Sequence, residues 1–519
     1  MRAHRIFILI SLAIAAAQAQ RLPVLQQIDL PHPYYYREMY LPQLTTGPSG
    51  VAWIPAAVAH AAPGAARAQG VLFSMQGTLW QQHLDSSTAE QVTDGPGYDY
   101  QPDVSSDGKW AVYAKYDRDA VELWLLDLAS GAAKALTTNH AVNVEPRFSP
   151  DGTRIAFVST QFNRHFHIFV AQFDAASGTL RSIQRLTGEN RSSLPRYYYS
   201  QFDHELSPTW SPDGHEIIYI SNRGHIHGTG GFWRMSAQPL PAPAQAAAAP
   251  MARGPFARFS QPMNVQQGQD PGREIRYEET NWKARPDWSP DGKRVAYASY
   301  LGRNRHQLWI MTSEGGDVFP LTYGEYDNTN PRWSPEGSEI AFISNRGGNL
   351  SLWIQDAHSG HESELAIRNL KYMHPRAELR VHVTNVAGKP LDARVSVTGN
   401  DGHAYAPANA WMAADDSFDR KERPFEAHYF DVHGSTSLSV PAGRITVEAM
   451  HGFAHKPEKQ EITVAAGKPA SITLRLQPLT FAKDRSRWIS GDVHVHMNYA
   501  GAYLATPSTL LKQMQAEEL

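Results

Sequence analysis

Ser149-Pro-Asp-Gly152, running directly into Thr-Arg-Ile-Ala-Phe157, is the stretch that decides the fold. Proline presets φ for the first corner of a tight turn, the acidic residue completes it, and glycine accepts backbone angles that other residues resist. The turn then hands the chain to an apolar strand. The same unit stands at Ser105-Ser-Asp-Gly108, Ser211-Pro-Asp-Gly214, Ser289-Pro-Asp-Gly292 and Ser334-Pro-Glu-Gly337. Successive serines are 44, 62, 78 and 45 residues apart, so a period near 45 holds wherever no insertion intervenes.

Each copy leads into a strand such as Trp110-Ala-Val-Tyr113, Glu216-Ile-Ile-Tyr219 or Glu339-Ile-Ala-Phe342. A second strand with an aromatic residue follows, as in Glu122-Leu-Trp-Leu-Leu126, His167-Ile-Phe-Val170 and Gln307-Leu-Trp-Ile-Met311. Short closing strands are expected at Leu136-Thr-Thr138, Leu186-Thr187 and Leu321-Thr322. Three or four short strands per period describe a propeller blade. A degenerate unit at Pro48–Ile54, Val71–Ser74, Gly77–Trp80 and Gln91–Thr93 brings the expected number of blades to six, since terminal repeats commonly diverge. The fold class is therefore mainly β, with a six-bladed propeller over residues 40–360.

These repeats resemble those of the periplasmic protein TolB and of other exported WD-like propellers. The resemblance implies a six-bladed fold, an exported compartment, and a protein or peptide partner on the propeller face. Fold alone assigns no activity.

Two insertions break the period. One, residues 160–205, carries Arg196-Tyr-Tyr-Tyr-Ser200; the other, residues 237–262, is rich in Pro and Ala. Both read as tolerated surface excursions. After Gly360 the signature stops, a short connection around Leu370-Lys-Tyr-Met-His374 follows, and alternating segments begin, among them Glu378-Leu-Arg-Val-His-Val383, Arg444-Ile-Thr-Val-Glu448 and Ser471-Ile-Thr-Leu-Arg-Leu476. This period-2 pattern describes a small antiparallel β-sandwich over residues 375–478. Gly388-Lys-Pro390 and Ala393-Arg-Val395 resemble the turn and strand of carboxypeptidase-regulatory-like modules, which implies a spacer or interaction role.

Composition narrows the rest. The 519 residues are 42% hydrophobic and 19% charged with a net charge of −3 and no basic run, which excludes a nucleic-acid partner. Arg2 and Arg5, the apolar run Ile6–Ala17 and Ala17-Gln-Ala19 describe a cleaved signal peptide at residues 1–19, directing the chain to the periplasm or outside the cell. No later stretch is long and apolar enough for a membrane span. Without cysteine there are no disulfides or thiolate metal sites, so any metal rests on His, Asp or Glu.

Trp488-Ile-Ser-Gly-Asp-Val-His-Val-His496 is the candidate metal strand. Side chains two apart in a strand share a face, so His494 and His496 point together, with Asp492 behind them. Among 23 histidines about one His-x-His triplet is expected by chance, and two others exist, His165-Phe-His167 and His225-Ile-His227. Those two are expected to face solvent. The third is set apart by Gly491-Asp492 before it and by Thr506-Pro507 after it, an N-cap and first-turn proline for a helix carrying Leu510, Leu511 and Met514. Strand, ligand pair, loop and helix open a barrel with metal at the strand ends.

This region resembles the start of the polymerase-and-histidinol-phosphatase class of metal-dependent hydrolases. The resemblance implies that His494 and His496 ligate a divalent metal, zinc or manganese, in the full-length parent, and that Asp492 supports them. The family's later ligands have no counterpart here. A hydrolytic metal needs about three protein ligands and an open water position, and one strand with one helix cannot bury its own faces. Residues 480–519 are thus expected to be the truncated start of the barrel, loosely docked, with this chain inactive by itself and contributing no catalytic residue. The alternative is a non-enzymatic binding or scaffold propeller of the cell envelope. A serine-peptidase plan fails, because no Gly-x-Ser-x-Gly elbow occurs.

Overall fold

The turn motif closes on itself through its serine. Ser149 Oγ donates to Asp151 Oδ1 (2.5 Å) and accepts the Arg154 N–H (2.9 Å), Asp151 Oδ1 accepts the Thr153 N–H (3.1 Å), and the Gly152 N–H reaches Ser149 O (2.8 Å) with φ at 68°. Ser105, Ser211 and Ser289 make the same bonds. In the fifth copy Glu336 replaces the aspartate, and its longer side chain instead accepts the Ala68 N–H at 3.2 Å, joining the last blade to the first.

The computed structural model describes residue 28 and residues 40–42, 44–56, 68–196, 200–238, 272–280, 283–301, 304–415, 426–480, 490–492 and 502–519. Residues 1–19, most of the Pro/Ala-rich insertion, and both His494 and His496 lie outside them.

Six four-stranded antiparallel units succeed one another, each in simple strand order. Blade 1 holds β1 (Gly50–Pro55), β2 (Ala68–Met75), β3 (Thr78–His83) and β4 (Thr88–Gln91). Blade 2 holds β5 (Tyr98–Val104), β6 (Trp110–Asp117), β7 (Ala120–Asp127) and β8 (Ala133–Ala135). Blade 3 holds β9 (Asn143–Phe148), β10 (Arg154–Ser159), β11 (His167–Asp174) and β12 (Thr179–Arg185). Blade 4 holds β13 (Glu205–Trp210), β14 (Glu216–Ser221), β15 (Gly230–Ser236) and β16 (Arg273–Thr280). Blade 5 holds β17 (Asp287–Trp288), β18 (Arg294–Ser299), β19 (Gln307–Thr312) and β20 (Phe319–Pro320), and blade 6 holds β21 (Asn328–Trp333), β22 (Glu339–Ser344), β23 (Ser351–Asp356) and β24 (Glu362–Glu364). First strands are mostly buried, β13 at every residue, and outer strands such as β8 are exposed, so the first strands line the axis. Burial of the middle strands on both faces packs blade against blade.

Two expectations need correction. The Leu-Thr pairs are not strands: they lie just past the outer strand, where the buried Thr137, Thr187 and Thr322 hydroxyls accept the N–H of Leu123, Ile168 and Leu308 at 2.9, 3.1 and 2.9 Å. The segment near residue 370 is not a mere connection. β25 (Asn369–Lys371) pairs parallel to β4 and gives blade 1 a fifth strand. Ring closure is completed by Trp53 Nε1 donating to Arg332 O (2.8 Å) and Arg332 Nε donating to Val51 O (3.1 Å).

The sandwich stacks one sheet of β26 (Arg376–Asn385), β30 (Ser435–Pro441), β32 (His455–Lys456) and β34 (Ala470–Pro478) on another of β27 (Asp392–Gly399), β28 (Ala413–Asp415), β29 (Ala427–His433), β31 (Gly443–Met450) and β33 (Glu458–Val464). Strict alternation of buried and half-buried residues in β27 gives each sheet one core face. The sandwich is not purely antiparallel, because β26 and β34 run parallel. It rests on the propeller face opposite the Ser-Pro-Asp-Gly turns. There His403 Nε2 bonds Gly97 O, its ring stacks on Tyr98 at 4.8 Å, and Thr46 Oγ1 donates to Ala410 O at 2.9 Å. The helix α1 (Pro507–Ala516) follows, capped by Thr506, whose side chain accepts the Thr509 N–H.

Candidate functional site: a plugged channel between two faces

The axial wall is built from one dipeptide repeated in five blades: Gln101-Pro102, Glu145-Pro146, Ser207-Pro208, Arg285-Pro286 and Asn330-Pro331. The residue before each proline has positive φ, at 52°, 54°, 52°, 35° and 54°. Such angles are uncommon for non-glycine residues, and each register shift on β5, β9, β13 and β21 falls at this point, so the first strands bulge toward the axis. The bulged side chains staple successive blades. Gln101 Oε1 accepts the Glu145 N–H (2.9 Å), and Glu145 Oε2 accepts the Ser207 N–H (2.5 Å). The prolines sit three residues before each turn serine. That fixed offset was the available sequence signal for this wall.

One residue past the prolines, four charges cross the channel. Arg147 bonds Asp287 and lies 3.4 Å from Asp103; Arg332 lies 3.3 Å from Asp287 and 3.5 Å from Asp103. Each aspartate also accepts a backbone N–H from the next blade, Phe148 for Asp103 (2.8 Å) and Trp333 for Asp287 (2.7 Å). Burial pushes both carboxyls up to about 6, with Arg147 pulling the other way. Nothing in this order could be read from sequence, because the partners come from four blades.

The four charges divide the channel. On the sandwich side is a chamber of about 150 Å³ lined by Glu145, Arg285, Lys283 and, from the C-terminal segment, Ala502. On the turn side is a funnel of about 680 Å³ floored by Trp53, Trp210, Trp288 and Trp333 and rimmed by Pro150, Pro212, Pro290 and Pro335. Three of the four indoles donate to backbone carbonyls, Trp53 to Arg332 O (2.8 Å), Trp210 to Arg147 O (3.1 Å) and Trp288 to Gly292 O (3.0 Å). The funnel offers an apolar rim with acidic residues around it, among them Asp107, Asp151 and Asp213.

The C-terminal segment bridges the two domains on the chamber side. Tyr503 Oη accepts the Met412 N–H (2.8 Å) while its ring stacks on Trp411, and the Leu504 N–H reaches Gly348 O in blade 6 (2.9 Å). Helix α1 lies on the sandwich, held by Arg394 Nε to Glu517 Oε1 (2.6 Å) and by His451 Nδ1, which donates to Ala516 O (3.2 Å). Of the residues singled out in sequence, Asp492 is exposed, while the ligand pair His494 and His496 lies outside the described residues.

The other His-x-His triplets divide. His227 is exposed as expected, while His225 pairs with Glu274 at 2.7 Å and stacks on Tyr277. His165 and His167 are buried, which overturns the solvent-facing expectation. Both face Glu189, at 2.8 Å from Nδ1 of His165 and 2.8 Å from Nε2 of His167, and His167 Nδ1 lies 3.0 Å from Glu205. They lie inside the 160–205 stretch, which is not wholly an excursion, since β11 and β12 of blade 3 fall within it; its Phe202 ring stacks on His165 at 4.1 Å. Its Arg196 is anchored on blade 4 through Asp203 (2.6 Å) and Asn222 O (2.7 Å).

Residues 261–387, spanning the outer strand of blade 4 to the first sandwich strand, match the family described as TolB beta propeller domain. An uncharacterized protein of Agrobacterium fabrum is 24% identical over 147 residues, 27% of this chain and 46% of that protein. The Tol-Pal system protein TolB of Francisella tularensis is 23% identical over 162 residues, 25% of this chain and 36% of that one. TolB from Acinetobacter baumannii superimposes with a TM-score of 0.40 at 19% identity, covering 64% of this chain and 66% of that one. The chain spans less than half the length of these curated relatives. What it shares with them is a TolB-like β-propeller.

Proposed function

We propose that this chain is the propeller-and-sandwich part of an exported metal-dependent hydrolase, with the domains controlling access to a catalytic barrel that begins at His494 and His496. The observation that carries this reading is the docking of the C-terminal segment. The helix that follows the histidine pair in sequence lies on the sandwich, and Ala502, four residues before its cap, lines the chamber. A barrel continuing from that helix would stand over the chamber side of the propeller, leaving the funnel open on the other side. The sandwich then serves as a spacer of the carboxypeptidase-regulatory kind, and residues 1–19 direct export to the periplasm or beyond. No helix among the described residues is long and apolar enough to cross a membrane. The metal is zinc or manganese, and His494 and His496 would supply two of its ligands.

Reading the gene past codon 519 tests this. A continuing frame with a Thr-Asp-His motif and further His and Asp ligands is expected; a stop codon directly after Leu519 would sink the reading.

A second reading, a TolB-type binding propeller of the cell envelope, is favoured by the funnel's proline rim and fixed indoles, which suit an apolar or basic protein segment. Pro150→Glu with Pro212→Glu adds charge to that rim without touching the turn hydrogen bonds. An envelope protein captured by the unaltered chain and lost with the variant supports this reading. Equal capture by both removes it.

A further inference from the structure

We infer that His165, His167 and Glu189 form a site for one divalent transition-metal ion of the zinc or manganese class, at the seam between blades 3 and 4. The inference uses no residue of the hydrolase reading and stands or falls apart from it.

Three observations carry it. The first is the donor set: one ligand atom from each residue lies within 4.8 Å of the others, and the two imidazoles approach separate oxygens of one carboxylate. Two histidines and a carboxylate with room for water are a ligand set that zinc and manganese accept. The second is the layer behind it. His167 turns Nε2 toward Glu189 and Nδ1 toward Glu205 Oε2 (3.0 Å), whose side chain is fully buried. A metal-bound histidine almost always gives its other N–H to such a carboxylate, which fixes the tautomer and ring angle.

The third comes from the repeat itself. At the seam of blades 2 and 3, Glu122 Oε2 accepts from Thr137 Oγ1 (2.5 Å) and Asn143 Nδ2 (3.1 Å). At the seam of blades 5 and 6, Gln307 Oε1 accepts from Thr322 Oγ1 (2.9 Å) and Asn328 Nδ2 (3.2 Å). These are closed polar staples with every acceptor matched to a donor. At the seam of blades 3 and 4 the equivalent residues are His167, Thr187 and Glu205, and the neighbouring positions that hold Arg305 and Gly324 in blade 5 hold His165 and Glu189. A staple has become a cluster of imidazoles and carboxylates. Glu189, with its side chain 17% exposed, is the point where an ion would enter. A proton network among the same groups is the competing account, and it takes up no metal.

The test uses the full chain carrying His494→Ala and His496→Ala, so that the other imidazole pair cannot contribute. After dialysis against chelator, zinc chloride and manganese chloride are titrated by calorimetry, and bound metal is counted after gel filtration. The expected result is one equivalent per chain with Kd at or below about 10 µM. Glu189→Gln, which is isosteric, should weaken binding at least 10-fold, and Glu205→Gln roughly 10- to 100-fold, with the β circular-dichroism signal retained. A parent chain that binds neither metal overturns the inference, as does a Glu189→Gln chain that binds equally well. If Glu189→Gln does not fold, the same comparison is made with His165→Asn.

Discussion

One serine hydroxyl bonds twice in each of the four turns that carry aspartate, donating to the carboxylate and accepting the N–H that starts the next strand. Ser289→Ala removes both bonds, and because Asp291 and Arg294 are exposed and Asp291 keeps the Lys293 N–H, the loss should cost about 1–1.5 kcal/mol. The urea midpoint is expected to fall with an unchanged m-value, while Pro290→Ala, which removes no hydrogen bond, should shift it by under about 1 kcal/mol. Glu336 allows a finer test. Glu336→Asp keeps the charge but shortens the reach to the Ala68 N–H, so hydrogen exchange at Ala68 should quicken while the turn at Ser334 keeps its protection. Unchanged exchange at Ala68 would show that this contact does not tie blade 6 to blade 1.

At the scale of elements, legibility followed locality. The turns and the strands after them could be read because every bond that closes a turn lies within five residues. The Leu-Thr pairs misled because an apolar residue beside a β-branched one looks like strand, while its threonine is a side-chain cap on a neighbouring strand. β25 was too short to show alternation, and its partner lies some 280 residues earlier. The buried His165 and His167 could not be told from exposed ones, because Glu189 and Glu205 reach them through tertiary structure. What holds β25 in place can be tested at Tyr372, whose ring meets Trp80 at 5.2 Å and carries the Arg376 guanidinium at 4.3 Å. Tyr372→Ala should cost about 2 kcal/mol and make residues 365–375 the first site of limited proteolysis; cleavage elsewhere with this segment intact would show that the sandwich and not β25 secures the junction.

At the scale of the whole molecule, the four-charge plug makes stability depend on pH in a defined direction. Asp103 and Asp287 hold their protons up to about pH 6 in the folded chain, whereas an unfolded aspartate ionises near 4. Between those values the folded state binds more protons, so this pair's contribution is complete below about pH 4 and is lost as pH rises toward 6. Asp103→Asn with Asp287→Asn has no such dependence. The melting temperature of the variant minus that of the unaltered chain should therefore grow from pH 4 to 6.5, and a difference that shrinks over this range would contradict the burial assigned to the two carboxyls. The order of the plug has a consequence of its own. Around the axis, blades 2 and 5 supply aspartate, blades 3 and 6 supply arginine, and the matching positions in blades 1 and 4 are Ala52 and Thr209. A half-turn therefore superimposes the ring on itself. Above about pH 6 the two positive and two negative charges related in this way sum to no net charge and their in-plane dipoles oppose, so their field falls off faster than that of a single charge. The molecule is sealed at its centre by charges that offset one another, and a single neutralising change would leave a net charge exposed to both mouths.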